Sequence, residues 1–540
     1  MSTTGRAVGI DLGTTFSAVA YLGDDGKPRV LPNREGEDET PSVVFFPPGD
    51  GKDEPLVGTM AKNSISVSSD DVVQFVKRSM GNPDWRFVSS TGEEYSPEEI
   101  SAIILRRLVA DAEEALGEPV AGAVITVPAY FGDARRTATL QAAEIAGVNV
   151  LALLNEPTAA ALAFGVEAQE NATVLVYDLG GGTFDVTIMQ FTSAFEGPQW
   201  IEIGKRGDSN LGGFNWDNEM VKLIMRRIAE QGGPKIADDD LDEIAQLREK
   251  AEDAKRTLTT VTTATLVYAF QGKPYRIRIT REEFEQATAN LLGRTRSMVE
   301  DTLDESNLSW EEIDNVLLVG GSTFMPQVSQ MLHDVTGKRP LRTVDPKQAV
   351  ALGAGVRAGF FGERGVIGAE VSSGDVSAQE GPVVEDVRPI IPRDTFRAAA
   401  DEATGHALGV VMLDATDGKT EVNIEVIPRN TNYSKAVGEA LALTRLDKQP
   451  TLTVRVTQGD GRDLRWVTQI GSVTFPIPEY PAGARFTIRY QYDSNERIFV
   501  EVIDEQASRS LGVFPVKRKA NLDQRQVSES RTKVMGLIID

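Results

Sequence analysis

Two short segments combine glycine, threonine and aspartate in a way that suits a phosphate chain. One runs from Asp11 to Thr15 and the other from Asp178 to Asp185. Glycine in a tight turn lets backbone N–H groups approach phosphate oxygens, threonine hydroxyls can bond the terminal oxygens, and carboxylates can hold Mg²⁺ directly or through water. The candidate phosphate ligands are Gly13, Thr14, Thr15, Gly180, Gly181, Gly182 and Thr183, and the candidate metal ligands are Asp11 and Asp178, with Asp185 as a third carboxylate.

Each segment alone is weak evidence, because a glycine that ends a strand usually makes only a turn. The pair is stronger evidence, since two such turns facing each other would clamp the β- and γ-phosphates from both sides. A later glycine pair, Gly320 and Gly321, is followed by Ser322 and adds to the set. The sequence therefore predicts a phosphate site built from three distant segments.

The elements that must position these residues are alternating strands and helices. Strand-like runs flank the first two turns and predict two β-hairpins, at 7–21 and 173–189. A third strand at 316–319 leads into a helical pattern at 326–332. Further helical patterns lie at 97–116, 133–147, 158–164 and 239–258. Because the two hairpins look alike, we interpret them as an internal duplication that makes two related α/β lobes.

The composition narrows the class of protein. At about 150 residues per domain, 540 residues predict three or four globular units or two large ones. The net charge of −24 disfavours nucleic acid and anionic membranes as partners. The lack of cysteine excludes disulfides and cysteine-bound zinc, and two histidines make a Ser-His-Asp triad hard to build. We find no signal peptide and no apolar run of about 18 residues, so we expect a cytoplasmic protein.

The composition changes after residue 368. The segment 369–403 begins with acidic, serine- and glycine-rich sequence and predicts a solvated linker. Short alternating strands from 404 to 517 predict an all-β sandwich. The tail at 518–540 has room for one short helix, and the remaining part, 1–368, contains the two lobes.

Five motifs follow one another along the chain. They are GIDLGTTFS at 9–17, ITVPAYF at 125–131, NEPTAAA at 155–161, DLGGGTFDV at 178–186 and LVGGST at 318–323. This ordered set resembles the 70-kilodalton heat-shock chaperone family, within the actin and sugar-kinase superfamily. The resemblance is strong over 6–362 and weaker over 404–515.

The resemblance implies an α/β fold: a two-lobed actin-like ATPase domain followed by an all-β sandwich, a substrate-binding-like domain, and a short C-terminal helix. It also implies slow hydrolysis of ATP to ADP with Mg²⁺, coupled to the binding of extended apolar polypeptide. A J-domain co-chaperone and a nucleotide-exchange factor are the further partners that it implies.

Roles for particular residues follow from the same resemblance. Lys77 would position the attacking water, and otherwise it is a solvated surface lysine. Glu156 would lie near the metal's water shell and the hinge between the lobes, and it would equally suit the first turn of a helix. Asp178 and Asp185 would order the metal and the water. The residues expected around the nucleoside are Glu252, Lys255, Arg256, Thr259, Gly320, Gly321 and Ser322, of which Glu252 and Arg256 would also suit a simple i,i+4 pair.

Three positions near the nucleotide depart from the family pattern. Phe324 stands where the family usually has an arginine stacked on adenine, and the ring could stack on the base or pack in the core. Lys347 stands where an acid is usual, and Phe16 replaces a tyrosine near the phosphates. We expect nucleotide binding to survive these changes with altered affinity.

The apparatus that couples the domains departs further. The family's linker carries a leucine run that ends in aspartate, and the nearest candidates lie within 383–391. Arg136 matches a residue that senses linker docking. An arginine that recruits J-domain proteins is replaced by Ala152, although Asn155 and Thr158 remain. The sequence therefore leaves two questions open: whether ATP hydrolysis is coupled to the β-domain, and whether the chain depends on J-domain proteins.

The family's peptide channel is the feature for which this sequence offers the poorest match. Leu441, Leu452 and Val454 are nearest to its apolar lining, and the alternative is that they belong to the sandwich core. The residues after 520 leave room for no more than the first helix of the family's lid. A sandwich without a lid should release bound peptide quickly.

Two functions remain open on the sequence. The first is an ATP-dependent chaperone, which the phosphate motifs favour. The second is a nucleotide-regulated binding or scaffold protein with one dedicated partner, which the linker and the missing lid favour. A small-molecule kinase or a filament-forming actin relative is disfavoured, because neither has a place for the β-domain.

Overall fold

A computed structural model of the chain describes residues 5–49, 54–66, 68–164, 171–194, 197–237, 240–342, 344–362, 400–414, 416–492, 497–516 and 521–539. Most of the predicted linker, including the candidate docking segment within 383–391, lies outside these residues. The domain boundaries at 368, 403 and 517 therefore stay predictions.

The first lobe is a mixed sheet with helices packed on it. Its strands are β1 (Arg6–Asp11), β2 (Phe16–Leu22), β3 (Pro28–Leu31), β4 (Thr40–Pro41), β5 (Val44–Phe45), β6 (Leu56–Val57), β7 (Val72–Val73), β8 (Phe87–Val88), β9 (Glu94–Tyr95), β10 (Val120–Val127) and β11 (Val150–Asn155). Its helices are α1 (Thr59–Asn63), α2 (Pro97–Leu116), α3 (Asp133–Ala146) and α4 (Glu156–Phe164). The main sheet has the order β11-β10-β1-β2-β3, in which β1 runs antiparallel to β2 and parallel to β10.

The second lobe repeats this arrangement. Its strands are β12 (Thr173–Leu179), β13 (Phe184–Ala194), β14 (Gly197–Asp208), β15 (Thr263–Phe270), β16 (Lys273–Thr280) and β17 (Asn315–Val319). Its helices are α5 (Gly213–Glu230), α6 (Leu241–Thr260), α7 (Arg281–Glu305) and α8 (Pro326–Thr336). The next helix, α9 (Ala349–Gly362), packs on α4, β1 and β2 of the first lobe. Here β12 runs antiparallel to β13 and parallel to β17, as β1 does with β2 and β10. Both predicted hairpins are present, and the shared pairing supports the duplication.

Local chemistry explains where the helices begin and end. Ser96 caps α2 and forms a capping box with Glu99, and Thr280 caps α7 in the same way with Glu283. Helix α3 ends at Gly147, whose φ of 75° is left-handed and costs glycine little. Such caps lie within a few residues of the ends they fix, so these ends can be predicted from the sequence.

A β-sandwich follows the two lobes, after one short strand. The strands are β18 (Ala400–Asp401), β19 (Leu408–Leu413), β20 (Glu421–Ile427), β21 (Val437–Leu443), β22 (Thr451–Gln458), β23 (Thr468–Pro476), β24 (Arg485–Tyr492), β25 (Ile498–Asp504) and β26 (Arg509–Pro515). Two sheets, β20-β19-β22-β23 and β21-β24-β25-β26, face each other across one apolar core. The α/β lobes followed by a sandwich confirm the predicted fold class.

The sandwich is docked on the two lobes. Strand β18 adds to the edge of the second lobe's sheet, where Ala400 pairs with Trp200 in parallel register. Arg429 of the sandwich donates to Glu305 at the end of α7 at 2.8 Å. The His406 ring lies 4.4 Å from the ring of Tyr130. Backbone pairing, an ion pair and a ring contact thus join the sandwich to both lobes.

The tail forms α10 (Gln524–Met535), which packs on α2 and α3 of the first lobe. Val527 and Val534 are buried there and belong to the first lobe's core. Within the part of the chain that the structure describes, no helix is both long and apolar enough to cross a membrane.

Candidate functional site

A cleft between the two lobes gathers nearly all of the predicted site. It encloses about 340 Å³ and is lined by both glycine turns, by α6 and by the segment after β17. The predicted residues that line it are Asp11, Gly13, Thr14, Thr15, Phe16, Lys77, Glu156, Asp178, Gly180, Gly181, Thr183, Glu252, Lys255, Arg256, Thr259, Gly320, Gly321, Ser322 and Phe324. Two predicted residues, Gly182 and Asp185, stand behind the lining instead.

The two glycine turns touch each other across the cleft. A Cβ atom on Gly181 would lie 2.4 Å from Thr15 Oγ1, and one on Gly182 would lie 2.5 Å from Thr14 Cγ2. Any side chain at either position would push the turns apart. The turns are therefore cradles of backbone N–H groups and threonine hydroxyls, which fits a phosphate chain.

The start of α5 completes this cradle. The N–H of Gly213 donates to Gly180 O at 2.9 Å, and the N–H of Phe214 donates to Gly181 O at 2.7 Å. Ser322 Oγ donates to the same Gly180 oxygen at 2.9 Å. These bonds hold the second turn open toward the cleft.

A buried lysine–glutamate pair lines the cleft at the end that is predicted to hold phosphate. Lys77 Nζ lies 2.5 Å from Glu156 Oε1, and their side chains are only 6% and 9% exposed. The surface alternative for Lys77 is thereby wrong, because a solvated lysine would be exposed. Glu156 does begin α4, so its two predicted roles are compatible.

Three aspartates surround that pair and repel one another. Burial, and then the charge of Glu156, raises the pKa of Asp11 to about 7, and the same causes in the same order raise the pKa of Asp185 to about 7. The pKa of Asp178 is raised well above its usual range, again by burial first and by Glu156 next. Such a cluster favours a cation, and carboxylate oxygens suit Mg²⁺.

The carboxylates of Asp11, Asp178 and Asp185 are compatible with Mg²⁺, but they do not surround a single point as a full set of metal ligands would. In the described ranges, no three histidine or acidic side chains come close enough to hold a metal ion by themselves. The assignment of Mg²⁺ to Asp11 and Asp178 stays a prediction.

Asp185 lies just behind the cleft wall. Its Oδ1 accepts from the backbone N–H of Tyr130 at 3.0 Å, and its Oδ2 is buried with no hydrogen-bond partner among the described residues. An unpartnered carboxylate oxygen is costly to bury. This oxygen is therefore suited to accept a hydrogen bond from water or to bind a cation.

Helix α6 lines the side of the cleft that is predicted to face the nucleoside. Glu252 binds Lys62 at 3.0 Å and Arg256 at 2.7 Å, so the i,i+4 pair is present and the same glutamate also joins the two lobes. Lys255 Nζ binds the buried Asp217 at 2.7 Å. The charged face of α6 is thus held in place by partners outside the helix.

The family departures also face the cleft. Phe324 lines it and stays partly exposed, which disfavours the core alternative, and Arg342 Cζ lies 5.2 Å from its ring centroid. Lys347 lines the cleft too and binds Glu39 at 3.1 Å. An aromatic ring and an ion pair therefore stand where the family usually has an arginine and an acid.

Several lining residues were not predicted. A glycine pair before a helix is itself a signal of a phosphate-binding turn. The Gly212-Gly213 pair could therefore have pointed to Asp217, which lies one helical turn further on. The others carry no local signal. They are Glu39, Phe214, Met325, Pro346 and Val350, whereas the lining residue Gly213 belongs to the glycine pair itself.

The proposed peptide-channel residues separate into two groups. Leu452 and Val454 are buried members of the sandwich core, which favours the alternative for both. Leu441 is 46% exposed on β21. A channel role thus stays a prediction for Leu441 and is disfavoured for the other two.

The residues matched to J-domain recruitment are buried. Asn155 and Thr158 are fully buried, and Ala152 belongs to an apolar core. Arg136 donates to Asn155 Oδ1 and, at 3.2 Å, to Phe131 O. In this docked arrangement a partner could not reach the two polar side chains directly.

Comparisons with known proteins agree with this geometry. The family model described as Hsp70 protein matches residues 7–378. Two curated relatives named chaperone protein DnaK, from two strains of Halobacterium salinarum, are each 35% identical over 532 residues. Each match covers 97% of this chain and 77% of the relative. A cleft with two facing glycine turns, a matching family model and this extent of identity together show that the chain belongs to the Hsp70 family, whose members bind nucleotide and act as ATPases and chaperones.

Proposed function

We propose that this chain hydrolyses ATP slowly to ADP and phosphate, with Mg²⁺, in the cleft between its lobes. The observation that carries the proposal is the contact between the two glycine turns directly beside the buried Lys77–Glu156 pair. The turns would hold the phosphates from both sides, and the Lys77 ammonium group, fixed by Glu156, would face their end. Positioning and charge stabilisation of this kind account for most catalysis of phosphoryl transfer to water.

Each group at the phosphate end has a separate task. Thr14, Thr15 and Thr183 would bond phosphate oxygens, and Lys77 would hold the attacking water against the γ-phosphate. Asp185 would orient that water from behind, through its unpartnered oxygen. Mg²⁺, when bound, would neutralise charge on the phosphate oxygens.

We propose further that hydrolysis is coupled to the binding of extended apolar polypeptide by the sandwich. The backbone N–H of Asn155 donates to Glu402 Oε1 at 2.8 Å, immediately before Glu156 in the chain. Glu402 follows β18, which is paired with β14. A change in the sandwich could thus reach the phosphate end through one short segment.

Exposed apolar side chains on β21 support a polypeptide partner. Val437, Leu441 and Leu443 point to solvent and are 53%, 46% and 53% exposed. The alternative, a scaffold with one dedicated partner, is favoured by the burial of Leu452, Val454 and Asn155. Co-chaperones of the J-domain and nucleotide-exchange classes are further proposed partners.

The test is the ATPase rate of the full chain, measured with and without a panel of unrelated unfolded apolar peptides. Stimulation by several peptides would support the coupled chaperone. A basal rate that no peptide changes would favour the dedicated partner. If the Asp178→Asn variant hydrolysed ATP with Mg²⁺ at the same rate as the unaltered chain, the proposed hydrolysis at this site would be contradicted.

A further inference from the structure

Three arginines converge beside the phosphate end of the cleft, and the proposed function uses none of them. Arg78 follows Lys77 in a short 3-10 turn, Arg135 lies in α3, and Arg248 lies in α6. Arg78 Cζ is 4.4 Å from the centroid of the Phe214 ring, and Arg248 Cζ is 4.7 Å from the same centroid. The two lobes thus bring cations to one aromatic ring.

Two aromatic rings connect this arginine cluster (Arg78, Arg135 and Arg248) to the cleft. Phe214 lines the cleft itself. The centroid of the Phe131 ring lies 5.8 Å from Lys77 Nζ and 5.2 Å from Arg135 Cζ. The Phe131 ring therefore lies close both to Arg135 of the cluster and to Lys77, the residue assigned to the attacking water.

The cluster has an excess of positive charge. The acids that act on its members are Asp208 and Asp217. Asp208 already binds Arg294 at 2.5 Å, and Asp217 already binds Lys255 at 2.7 Å. Both carboxylates are thus shared with cations outside the cluster.

The arginines disfavour one another's charge. Burial lowers the pKa of each, and the charge of Arg78 lowers the pKa of Arg135 and of Arg248 further. Guanidinium groups stay protonated at neutral pH in spite of such shifts. Binding of an anion, and not loss of a proton, would therefore reduce the repulsion between these charges.

Donors are available for that anion. Arg78 Nη1 is buried and has no hydrogen-bond partner among the described residues. Its Nη2 donates to Asn210 O at 3.0 Å, and Arg248 Nε donates to Asn218 Oδ1 at 3.3 Å. Arg135 Nη1 donates to Ser209 O at 3.5 Å. A guanidinium has five N–H donors, so most of those in the cluster make no hydrogen bond to the described residues and could bind a ligand.

We propose that the arginine cluster is a second anion site, which takes inorganic phosphate on its way out of the cleft. A tetrahedral dianion matches several guanidinium forks at once. The cluster lies against Phe214, which lines the cleft, and against Phe131, which also contacts Lys77, so it is a positive region close to the turns that phosphate would leave. The inference rests on the proposed hydrolysis for the source of the phosphate, but binding of phosphate can be measured without hydrolysis.

The first experiment measures binding of radiolabelled inorganic phosphate to the full chain by equilibrium dialysis. Mg²⁺ and a non-hydrolysable ATP analogue are present at saturation, so that the γ-phosphate position is filled. We expect saturable binding of one phosphate per chain. No saturable binding under these conditions overturns the proposal, whatever the ATPase rate.

The second experiment compares variants. Arg248→Gln and Arg135→Gln each remove a charged donor, so each should weaken phosphate binding about tenfold. Arg226→Gln is the matched control, because its side chain is 57% exposed on α5, outside the cluster, and it should leave the affinity unchanged. Equal affinity in all four proteins would place the phosphate elsewhere and overturn the proposal.

A third measurement separates this inference from the proposed function. In a single turnover, a fluorescent phosphate sensor reports release, and quenched samples report cleavage of ATP. The proposal predicts that Arg248→Gln changes the delay between cleavage and release several-fold. Normal cleavage with an unchanged delay would contradict the second site alone, whereas absence of cleavage in the unaltered chain would contradict the proposed hydrolysis alone.

Discussion

At the scale of single residues, the buried Lys77–Glu156 pair is the feature that most needs a reason. Removing two charges from water is costly, and a buried ion pair often stabilises a fold less than apolar residues would. Three aspartates with raised pKa values stand around the pair, and the charge of Lys77 acts to lower the pKa of each and so partly offsets their repulsion. The pair is therefore better explained by chemistry at the phosphate end than by stability.

Lys77→Met should lower kcat for ATP hydrolysis by about 100-fold or more, because one fixed charge at the reacting centre is lost. ATP affinity should fall much less, since the turns and α6 still hold the nucleotide. Steady-state kinetics and calorimetric titration with ATP measure the two effects. Lys222→Met, whose side chain is 69% exposed on α5, is the control and should change neither. Equal losses of turnover and affinity would argue against a role confined to catalysis.

Gly181→Ala should abolish tight ATP binding, because its Cβ would meet Thr15 Oγ1 at 2.4 Å and separate the two turns. Gly293→Ala is the matched control, since nothing lies within 4 Å of its Cβ on the exposed side of α7. That control should keep ATP binding and gain roughly 0.5–1 kcal/mol of stability, as alanine replaces glycine inside a helix. Calorimetric titration and thermal unfolding of both variants measure these effects. Undiminished ATP affinity in Gly181→Ala would show that the turns do not hold the phosphates.

At the scale of elements, the last helix and the short strand β18 lie in places that the sequence did not predict. Strand β18 falls inside the segment predicted as a solvated linker, yet it pairs with β14. The tail was expected to be at most a remnant of a lid, and it packs on α2 and α3 of the first lobe. Lys533 contributes a cation–π contact, 3.8 Å from the Tyr95 ring centroid. Helix α10 is thus part of the first lobe's core, and its packing is a stability feature.

Val534→Ala should lower the stability of the first lobe by about 2 kcal/mol, because a fully buried side chain loses two methyl groups. Val437→Ala removes the same atoms from a residue that is 53% exposed on β21. That control should change the stability by less than about 0.5 kcal/mol. Thermal unfolding followed by far-UV circular dichroism compares the two. Equal midpoints would mean that α10 is not docked in solution.

At the scale of the whole molecule, the sandwich and the lobes meet at a mixed cluster of charges around one histidine. Lys205, Arg429 and Asp460 act on His406 from β14 and from the sandwich, and the Tyr130 ring lies against it. Burial, and then the charge of Lys205, lowers the pKa of His406 from 6.5 to about 4. The docked arrangement therefore requires the neutral imidazole.

Docking should weaken on acidification. His406 takes up a proton more readily when undocked, so its contribution to docking is complete above pH 6.5 and is lost as the pH falls toward about 4. Between pH 7.5 and pH 5 the loss should be about 2 kcal/mol, or roughly 30-fold in the docking equilibrium. Because the chain has no cysteine, Lys222→Cys and Lys448→Cys, both at exposed positions, can carry a fluorescence energy-transfer pair.

His406→Phe keeps an aromatic ring against Tyr130 and removes the titrating group. The energy transfer of this variant should therefore depend less on pH between 5 and 7.5 than that of the unaltered chain. An identical pH profile in the two proteins would assign the effect to other groups.

Short-range information in the chain was enough for the hairpins and for α2, α3 and α8, and the motifs together with the family resemblance predicted most of the residues that line the cleft. Caps, glycine turns and strand alternation act within a few residues, and the motifs keep their order along the chain. Contacts between distant segments could not be predicted in this way. Four features join residues from separate elements. They are the position of Asp185 behind the cleft wall, the burial of Leu452 and Val454, the strand pairing of Ala400 with Trp200, and the approach of Arg78 and Arg248 to one ring. Such contacts depend on how whole lobes pack, because burial and charge balance are properties of neighbours in space, and neighbours in sequence do not specify them.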